Sequence, residues 1–216
     1  MRKQTKETIG VIGLAFLVLV ILSVFVHYSP VLRLDVSISR DLQSEGSTAL
    51  TKGFIYWALV LVSSMGNVIP SAVIVLGLST LFWLYKYKKE AIFILLAPIS
   101  VGLNSILKLI INRPRPTSGL VNVVFPEANS SFPSSHTVFY TVLFGFLILA
   151  AFNAKRFPLW LRVVIGLFST VMVVLVSFSR IYLGAHWASD VIGGYIFGGI
   201  LLLIMIQIYE RVGVKE

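Results

Sequence analysis

Long apolar stretches constrain this chain more than any other feature. A helix that crosses a membrane needs about 20 mostly apolar residues, because it must cover about 30 Å of hydrocarbon. Six segments meet that requirement, at 8–27, 68–85, 91–110, 136–153, 159–179 and 187–209. In addition, 57% of the residues are hydrophobic and 12% are charged, against about 45–50% and about 25% in soluble domains. We therefore predict an all-α integral membrane protein, a bundle of six transmembrane helices in one domain over 1–216.

Three other segments need their own interpretation. The stretch from Phe54 to Ser64 is apolar but short, and Gly66 and Asn67 separate it from the second span. We expect it to form an interfacial or re-entrant helix that leads into that span. Residues 29–52 are the most polar part of the chain and are expected to form a short surface helix. The basic start resembles a signal peptide, but the apolar stretch after it is long for that role, and we expect a retained helix.

The distribution of Lys and Arg predicts the orientation of the chain in the membrane. With the N-terminus inside, eleven of the 18 basic residues lie on the cytoplasmic side and seven outside. Cytoplasmic loops carry the excess of Lys and Arg in most membrane proteins, so both termini are predicted to be cytoplasmic. The net charge of +9 is then explained by topology and by an anion site, and no nucleic acid partner is expected. The chain has no cysteine, which excludes disulfides and cysteine-bound metals.

Polar residues concentrate in three clusters. They are Lys108 to Pro116, Pro133 to His136, and Ser179 to Asp190. The six-span topology puts all three at the outer side of the membrane. Charged residues at membrane depth are costly and are usually functional. The three clusters therefore predict one site near the outer surface.

The charges of these clusters favour a phosphate group. Lys108, Arg115 and Arg180 supply three positive charges that would repel one another without an anion. An Arg guanidinium is a planar fork that matches phosphate oxygens, and Lys acts as a point charge. The segment from Ser134 to His136 opens a helix, and its free backbone N–H groups favour the same anion.

Two histidines in the clusters suggest chemistry on that phosphate. His186 and Asp190 are four residues apart and face the same way on a helical turn. A carboxylate on one imidazole nitrogen fixes the tautomer and raises the basicity of the other, which prepares His186 as a nucleophile. His136 could then protonate the leaving oxygen. His27 is expected to be an interfacial residue and Glu127 to be solvated.

Other interpretations of the same residues stay open. Each of the three cations, taken singly, could be a membrane anchor. His186, Asp190 and His136 could form a zinc site, although three neighbouring cations would oppose a metal ion; we predict no metal and no cofactor. Four glycines in the last span are expected to mediate close helix packing, namely Gly193, Gly194, Gly198 and Gly199.

The three clusters resemble the signature of the type 2 phosphatidic acid phosphatase (PAP2) superfamily, which reads Lys-x6-Arg-Pro, Pro-Ser-Gly-His and Ser-Arg-x5-His-x3-Asp. The segments Lys108 to Pro116 and Ser179 to Asp190 match the first and third parts in full. The second part matches except at Ser135, where the family has Gly. The resemblance covers 108–190, and the six-span layout extends it to the single domain 1–216.

The resemblance implies a role for each matching residue. His186 would be the nucleophile that forms a phosphohistidine, Asp190 would orient it, and His136 would be the general acid. The phosphoryl oxygens would be held by Lys108, Arg115, Ser134, Ser135 and Arg180. Ser135 would still present its backbone N–H, and its hydroxyl could add a donor.

The resemblance also implies a substrate class. In size and loop length the chain is similar to bacterial phosphatidylglycerophosphatase B-like enzymes, so the substrate would be phosphatidylglycerol phosphate, undecaprenyl diphosphate or both. The enzyme would lie in the cell membrane with its site outside and without an obligate protein partner. An alternative is a protein that binds or transports lipid phosphate without hydrolysis, although a binder does not need the pair of His186 and Asp190. A second alternative is a phosphotransferase that uses an acceptor other than water.

Overall fold

Nine α-helices form the part of the chain that the structure, a computed structural model, describes, namely residues 3–45 and 49–212; this part contains no β-strand. The helices are α1 (Lys3–Tyr28), α2 (Arg33–Glu45), α3 (Ala49–Met65), α4 (Val68–Leu84), α5 (Lys88–Leu96), α6 (Ile99–Ile111), α7 (Ser135–Asn153), α8 (Leu159–Tyr182) and α9 (Ala188–Arg211). The predicted all-α class is confirmed. The predicted surface helix within 29–52 is α2, and residues 46–48 lie outside the described residues.

The chain is a multi-pass membrane protein. Within the described residues, five helical segments are long and apolar enough to cross a membrane, and they are Thr5–Tyr28, Lys88–Ile111, Ser135–Asn153, Leu159–Tyr182 and Ala188–Arg211. A sixth crossing results if α3 and α4 are counted as one bent span. The prediction of six spans therefore agrees with the structure if the bent pair counts as one span, and exceeds it by one if it does not.

Helix breaks occur within or next to two of the predicted spans. The apolar stretch 54–64 and the span 68–85 are α3 and α4, which meet at an angle of 74° and together form one broken span or a re-entrant segment. The predicted span 91–110 consists of α5 and α6, with a break at Ala97 and Pro98. Proline has no N–H for the helical ladder, which explains a break at this position.

Helix α7 is the centre of the bundle. In its most apolar window 67% of the residues are buried, whereas the corresponding value for α1 is 11%. Phe144, Phe146 and Leu147 of α7 are almost completely buried between α5, α8 and α9. Most of α1 is covered by apolar side chains that face outward, such as Leu14 and Phe16. Lipid tails solvate such side chains as well as a protein interior does, so α1 needs little burial.

Close packing of α9 against α7 depends on glycines at a four-residue spacing. A Cβ atom at Gly194 would lie 2.8 Å from Cβ of Thr137, and one at Gly198 would lie 2.8 Å from Cβ of Thr141. Small residues four apart let two membrane helices approach closely. Gly193 faces the ring of Phe132 in the same way, at 2.4 Å.

The prediction of close packing is wrong for the fourth glycine of this helix. A Cβ atom at Gly199 would meet no heavy atom within 4 Å in the described chain. The adjacent pair Gly198 and Gly199 therefore differs in packing while it shares a helix, a depth in the bundle and a residue type.

We expect Gly198→Ala to destabilise the protein by about 1–3 kcal/mol, because the added methyl group overpacks the contact with α7. Gly199→Ala is the matched control and should be neutral or stabilising by up to about 1 kcal/mol, since alanine has the better helix propensity. Thermal unfolding in detergent measures both changes. Equal effects of the two substitutions would contradict the packing described here.

Candidate active site

The residues singled out in the sequence meet at one end of the bundle. Helices α6 and α8 end there, α7 and α9 begin there, and the connection 112–134 covers them. The predicted residues are Lys108 in the last turn of α6, Arg115 in the connection, Ser134 before α7, Ser135 and His136 at its start, Arg180 in the last turn of α8, His186 before α9, and Asp190 in the first turn of α9. The expectation that the three clusters share one side of the membrane agrees with this arrangement.

Local backbone geometry aims these residues at one another. Asn112 ends α6 in the left-handed conformation, with φ 47°, which Asn tolerates better than most residues. Gly184 follows α8 with φ +66°, and a Cβ atom there would lie 2.1 Å from the backbone oxygen of Asn122. Only glycine fits this position, and it turns the chain so that His186 points back into the bundle.

His186 is buried against Asp190. Its Nδ1 atom lies 3.4 Å from Oδ2 of Asp190 and 3.4 Å from the hydroxyl oxygen of Ser131. On the other side of the ring, Nε2 lies 3.2 Å from NH1 of Arg115. A carboxylate accepts and a guanidinium donates, so these partners favour the tautomer with the proton on Nδ1. The lone pair of Nε2 then faces the positively charged side of the site.

Burial lowers the pKa of the His186 imidazole well below its ordinary value, and neighbouring positive charges, Arg115 first, lower it further. Both effects penalise the charged imidazolium form. His186 is therefore neutral around pH 7 in this site, as a nitrogen nucleophile must be.

Both carboxylate oxygens of Asp190 accept hydrogen bonds from groups around the site. Its Oδ2 atom accepts the backbone N–H of Trp187 at 2.8 Å and the hydroxyl of Ser131. Its Oδ1 atom accepts NH1 of Arg113 at 2.5 Å. The bond to Trp187 is half of a capping box that starts α9, so one carboxylate both begins this helix and orients His186.

Three cations surround His186. Lys108 donates to the backbone oxygens of Ser130 and of Ser131, the latter at 3.2 Å. Arg115 donates to the backbone oxygen of Ala185 at 2.6 Å. Arg180 contributes an Nε atom that is buried and has no hydrogen-bond partner among the described residues. Their proximity supports the prediction of an anion site.

Glu127 is exposed, as predicted, but it also pairs with two of these cations, which the sequence did not indicate. Its carboxylate lies 2.8 Å from NH2 of Arg115 and 2.5 Å from NH2 of Arg180. Both Glu127 and Arg115 also line a cavity of about 280 Å³, together with Thr117, Ser118 and Gly184. The carboxylate thus lies between that cavity and the cations.

The side chain of His136, at the start of α7, packs and bonds against helix α3. Its Nε2 atom lies 3.0 Å from the backbone oxygen of Ser63, which can only accept, so Nε2 carries the proton. The hydroxyl of Ser63 accepts NH1 of Arg180 at 2.6 Å. A Cβ atom at Gly66 would lie 2.2 Å from Cδ2 of the same imidazole, so the turn between α3 and α4 fits closely against the ring.

Ser134 and Ser135 bond within the protein at the start of α7. The hydroxyl of Ser134 accepts Thr137 at 3.0 Å, and its N–H donates to the backbone oxygen of Asp190 at 3.1 Å. The sequence had suggested a free N–H at Ser134 for an anion, but this N–H is occupied. The hydroxyl of Ser135 accepts Nδ2 of Asn104 at 2.8 Å. Ser135 has an ordinary helical backbone, so glycine is not needed there for conformation.

Sequence reasoning missed five residues that hold the site together. They are Asp35, Ser63, Gly66, Asn104 and Ser131. The role of Arg113 was also left open by the sequence, and its side chain pairs with Asp35 and Asp190. Within 3–45 and 49–212, no group of three or more His, Asp or Glu side chains is placed to hold a metal ion. The zinc alternative has no ligand set in that part of the chain.

Comparison with known proteins identifies the relatives of the chain. The family described as the PAP2 superfamily matches residues 89–213. Phosphatidylglycerophosphatase B of Bacillus subtilis is 33% identical over 113 residues, which are 51% of this chain and 53% of that protein. An undecaprenyl-diphosphatase of Sulfolobus acidocaldarius is 27% identical over 122 residues, which are 55% of this chain and 54% of that protein. These matches thus span about half the length of each relative.

A solved structure shares the fold over almost the whole chain. It is a transmembrane PAP2-type phosphatidylglycerolphosphate phosphatase from Bacillus subtilis, with a TM-score of 0.74 and 24% identity. The match covers 95% of this chain and 98% of that one. At this identity the similarity establishes the fold alone.

We expect the NMR signal of His186 to titrate at a lower pH than a free imidazole, which titrates near about 6.5. Arg115→Gln should move the midpoint upward, because it removes a positive charge beside the imidazolium form. The spectrum of His186→Ala assigns the signal among three histidines, and Arg33→Gln, on the exposed face of α2, is the control. An ordinary midpoint in the unchanged protein would contradict the description of the site.

Proposed function

The chain belongs to the PAP2 superfamily, and from that premise we propose that it is a metal-independent membrane lipid phosphatase that works through a phosphohistidine. One observation carries the proposal: Nε2 of a neutral His186 lies 3.2 Å from NH1 of Arg115, with the charges of Arg180 and Lys108 nearby, while Asp190 holds the opposite nitrogen. The cations attract a phosphate, and the nucleophile stands among them. A site that only binds phosphate has no use for the carboxylate behind the histidine.

In the first step of the proposed mechanism, Nε2 of His186 attacks phosphorus in line with the leaving oxygen. Lys108, Arg115 and Arg180 hold the phosphoryl oxygens and stabilise their charge, which is the main requirement of phosphoryl transfer. The bond from phosphorus to the leaving oxygen breaks, and His136 in its imidazolium form gives that oxygen the proton of Nδ1, because the proton of Nε2 stays bonded to Ser63. Asp190 stabilises the positive charge that develops on His186.

In the second step, water attacks the phosphohistidine. His136, now without its proton, accepts one from the water, and the bond between nitrogen and phosphorus breaks to release inorganic phosphate. The cavity beside Arg115 and Glu127 offers room for this water and for the departing phosphate. Ser134 and Ser135 are assigned to the phosphate site through their backbone position at the start of α7, where the helix dipole favours an anion.

We assign the site to the outer face of the cell membrane and both termini to the cytoplasm. The site end of the bundle holds the end of α1, where Nδ1 of His27 lies 3.0 Å from the backbone oxygen of Ile111, and the beginning of α9. The beginning of α1 and the end of α9 therefore lie at the opposite end. The bias of Lys and Arg favours a cytoplasmic location for that opposite end.

The proposed substrates are phosphatidylglycerol phosphate, undecaprenyl diphosphate or both. The names of the relatives include one enzyme for each kind of lipid. An outward site suits undecaprenyl diphosphate, and the short connection 117–132 leaves little structure to select a headgroup. We therefore expect broad specificity, within one domain over 1–216 and without an obligate protein partner.

The first test is phosphate release by the purified protein in detergent with EDTA, with both lipids and phosphatidic acid offered side by side. We expect release that EDTA does not prevent and that falls by about 1,000-fold or more in His186→Ala, because covalent catalysis is lost. His27→Gln is the matched control and should keep full activity, since His27 contacts α6 outside the site.

The same assay decides between the alternatives. If the folded protein binds these lipids and releases no phosphate, it is a binding or transport protein. If the phosphoryl group is transferred to an added alcohol and is not released as inorganic phosphate, the protein is a phosphotransferase. An acid-labile, base-stable phosphoenzyme that forms in the unchanged protein and not in His186→Ala would support the phosphohistidine directly.

Glu127 should compete with phosphate for Arg115 and Arg180. We expect Glu127→Gln to strengthen inhibition by orthovanadate by up to about ten-fold, a modest effect because this side chain is 33% exposed and its ion pairs are partly screened. The inhibition constant measures the effect, with Glu210→Gln, exposed at the far end of α9, as control. Weaker inhibition in Glu127→Gln would mean that the carboxylate supports the anion site and does not compete for it.

A further inference from the structure

Asp35 is a buried carboxylate on the polar helix α2. Its side chain is 3% exposed, whereas its neighbours Arg33 and Leu34 face outward. Both oxygens are fully used: Oδ1 accepts the N–H of Ser189 at 2.9 Å, and Oδ2 accepts the hydroxyl of Ser189 at 2.6 Å and NH2 of Arg113 at 2.8 Å. A carboxylate is buried at great cost unless it is paired in this way. Its position therefore has a specific cause.

Arg113 joins Asp35 to the catalytic carboxylate. While NH2 pairs with Asp35, NH1 donates to Oδ1 of Asp190 at 2.5 Å and to the hydroxyl of Ser189 at 2.7 Å. The third arm of the guanidinium, Nε, donates to the backbone oxygen of Pro30 at 3.0 Å, just before α2. The guanidinium is planar and rigid, so the contacts on one arm fix the direction of the others.

The consequence reaches the nucleophile. With Oδ1 of Asp190 held by Arg113, the carboxylate presents Oδ2 to Nδ1 of His186 at 3.4 Å. A guanidinium free of Asp35 could turn about its own side chain and take Oδ1 with it. The orientation of His186 therefore depends on a residue that contacts neither the histidine nor the cations around it.

From this chain of contacts we propose that Asp35 is a positioning residue for phosphoryl transfer, acting through Arg113 on the pair of Asp190 and His186. The inference rests on the proposed function. It also gives α2 a part in catalysis, although this helix lies outside residues 89–213, which match the family. The helix packs against α8 and α9.

The geometry separates two kinds of effect. Asp35 and Arg113 make no hydrogen bond to Lys108, Arg115 or Arg180 in the described structure. Loss of Asp35 should therefore disturb the attack by His186 and leave the affinity for the phosphate group in place. In kinetic terms, kcat falls while KM and the inhibition constant of orthovanadate stay close to those of the unchanged protein.

The test is Asp35→Asn, which keeps the shape of the side chain and removes its charge. Whichever way the amide turns, its NH2 group meets a donor, either the N–H of Ser189 or NH2 of Arg113, so the network cannot reform. We expect kcat to fall roughly 10- to 100-fold, as for other residues that orient a catalytic group from behind. The rate of phosphoenzyme formation in a single turnover should fall by the same factor.

Two further variants complete the experiment. Asp41→Asn changes an exposed carboxylate on the same helix and should leave kcat unchanged. Arg113→Lys keeps the charge and loses the fork, so it cannot hold Asp35 and Asp190 together; it should reproduce the kcat-selective loss, and it carries the test if Asp35→Asn does not fold in detergent.

The outcomes are distinct. A folded Asp35→Asn with normal kcat overturns the inference, as does an equal loss of turnover and of vanadate affinity, which would mean that the whole site has collapsed. The unchanged protein and His186→Ala are measured in the same assay. Absence of phosphate release from the unchanged protein would refute the proposed function, and the inference would fall with it.

Discussion

The structure depends above all on how it compensates one buried carboxylate. Asp190 has no exposed surface, and an unpaired charge in such a place would cost several kcal/mol, an order of magnitude comparable to the stability of a domain. Four donors compensate the charge of this carboxylate, and each fixes a different part of the molecule. The N–H of Trp187 begins α9, Ser131 fixes the connection that precedes α7, Arg113 ties in α2, and His186 takes its orientation from the remaining oxygen.

Much of this architecture could be predicted from the sequence because its signals are local. A run of about 20 apolar residues identifies a span wherever it occurs, and the spacing from His186 to Asp190 identifies a shared helical face. Asp35, Ser63 and Ser131 carry no such signal. Each acts through a contact with a residue at least 55 positions away, and a lone polar residue in a polar or apolar segment resembles many that do nothing. Only the folded chain distinguishes them.

The helix breaks in two of the spans had weaker local signals than the spans themselves. Gly66 with Asn67 was correctly interpreted as a separation, but nothing local revealed that the bend of 74° presses this turn against His136. Pro98 interrupts a continuous apolar run, and hydrophobicity alone does not show the break. The ion pairs of Glu127 could not be predicted for a related reason. A glutamate in a loop is usually solvated, and its pairing with Arg115 and Arg180 arises only when the ends of α6 and α8 come together.

The balance of charge explains why such a site suits a phosphate. Among the described residues of the site, the cations are Lys108, Arg113, Arg115 and Arg180, and the carboxylates are Asp35, Glu127 and Asp190. Two of the carboxylates are locked around Arg113 and cannot leave without exposing a buried charge. Glu127, one third exposed, is the one that can move. Once it does, the remaining excess of two positive charges equals the charge of a phosphate dianion. In the proposed mechanism, the locked network orients His186, while the carboxylate of Glu127 keeps the cations paired until the phosphate group of the substrate replaces it.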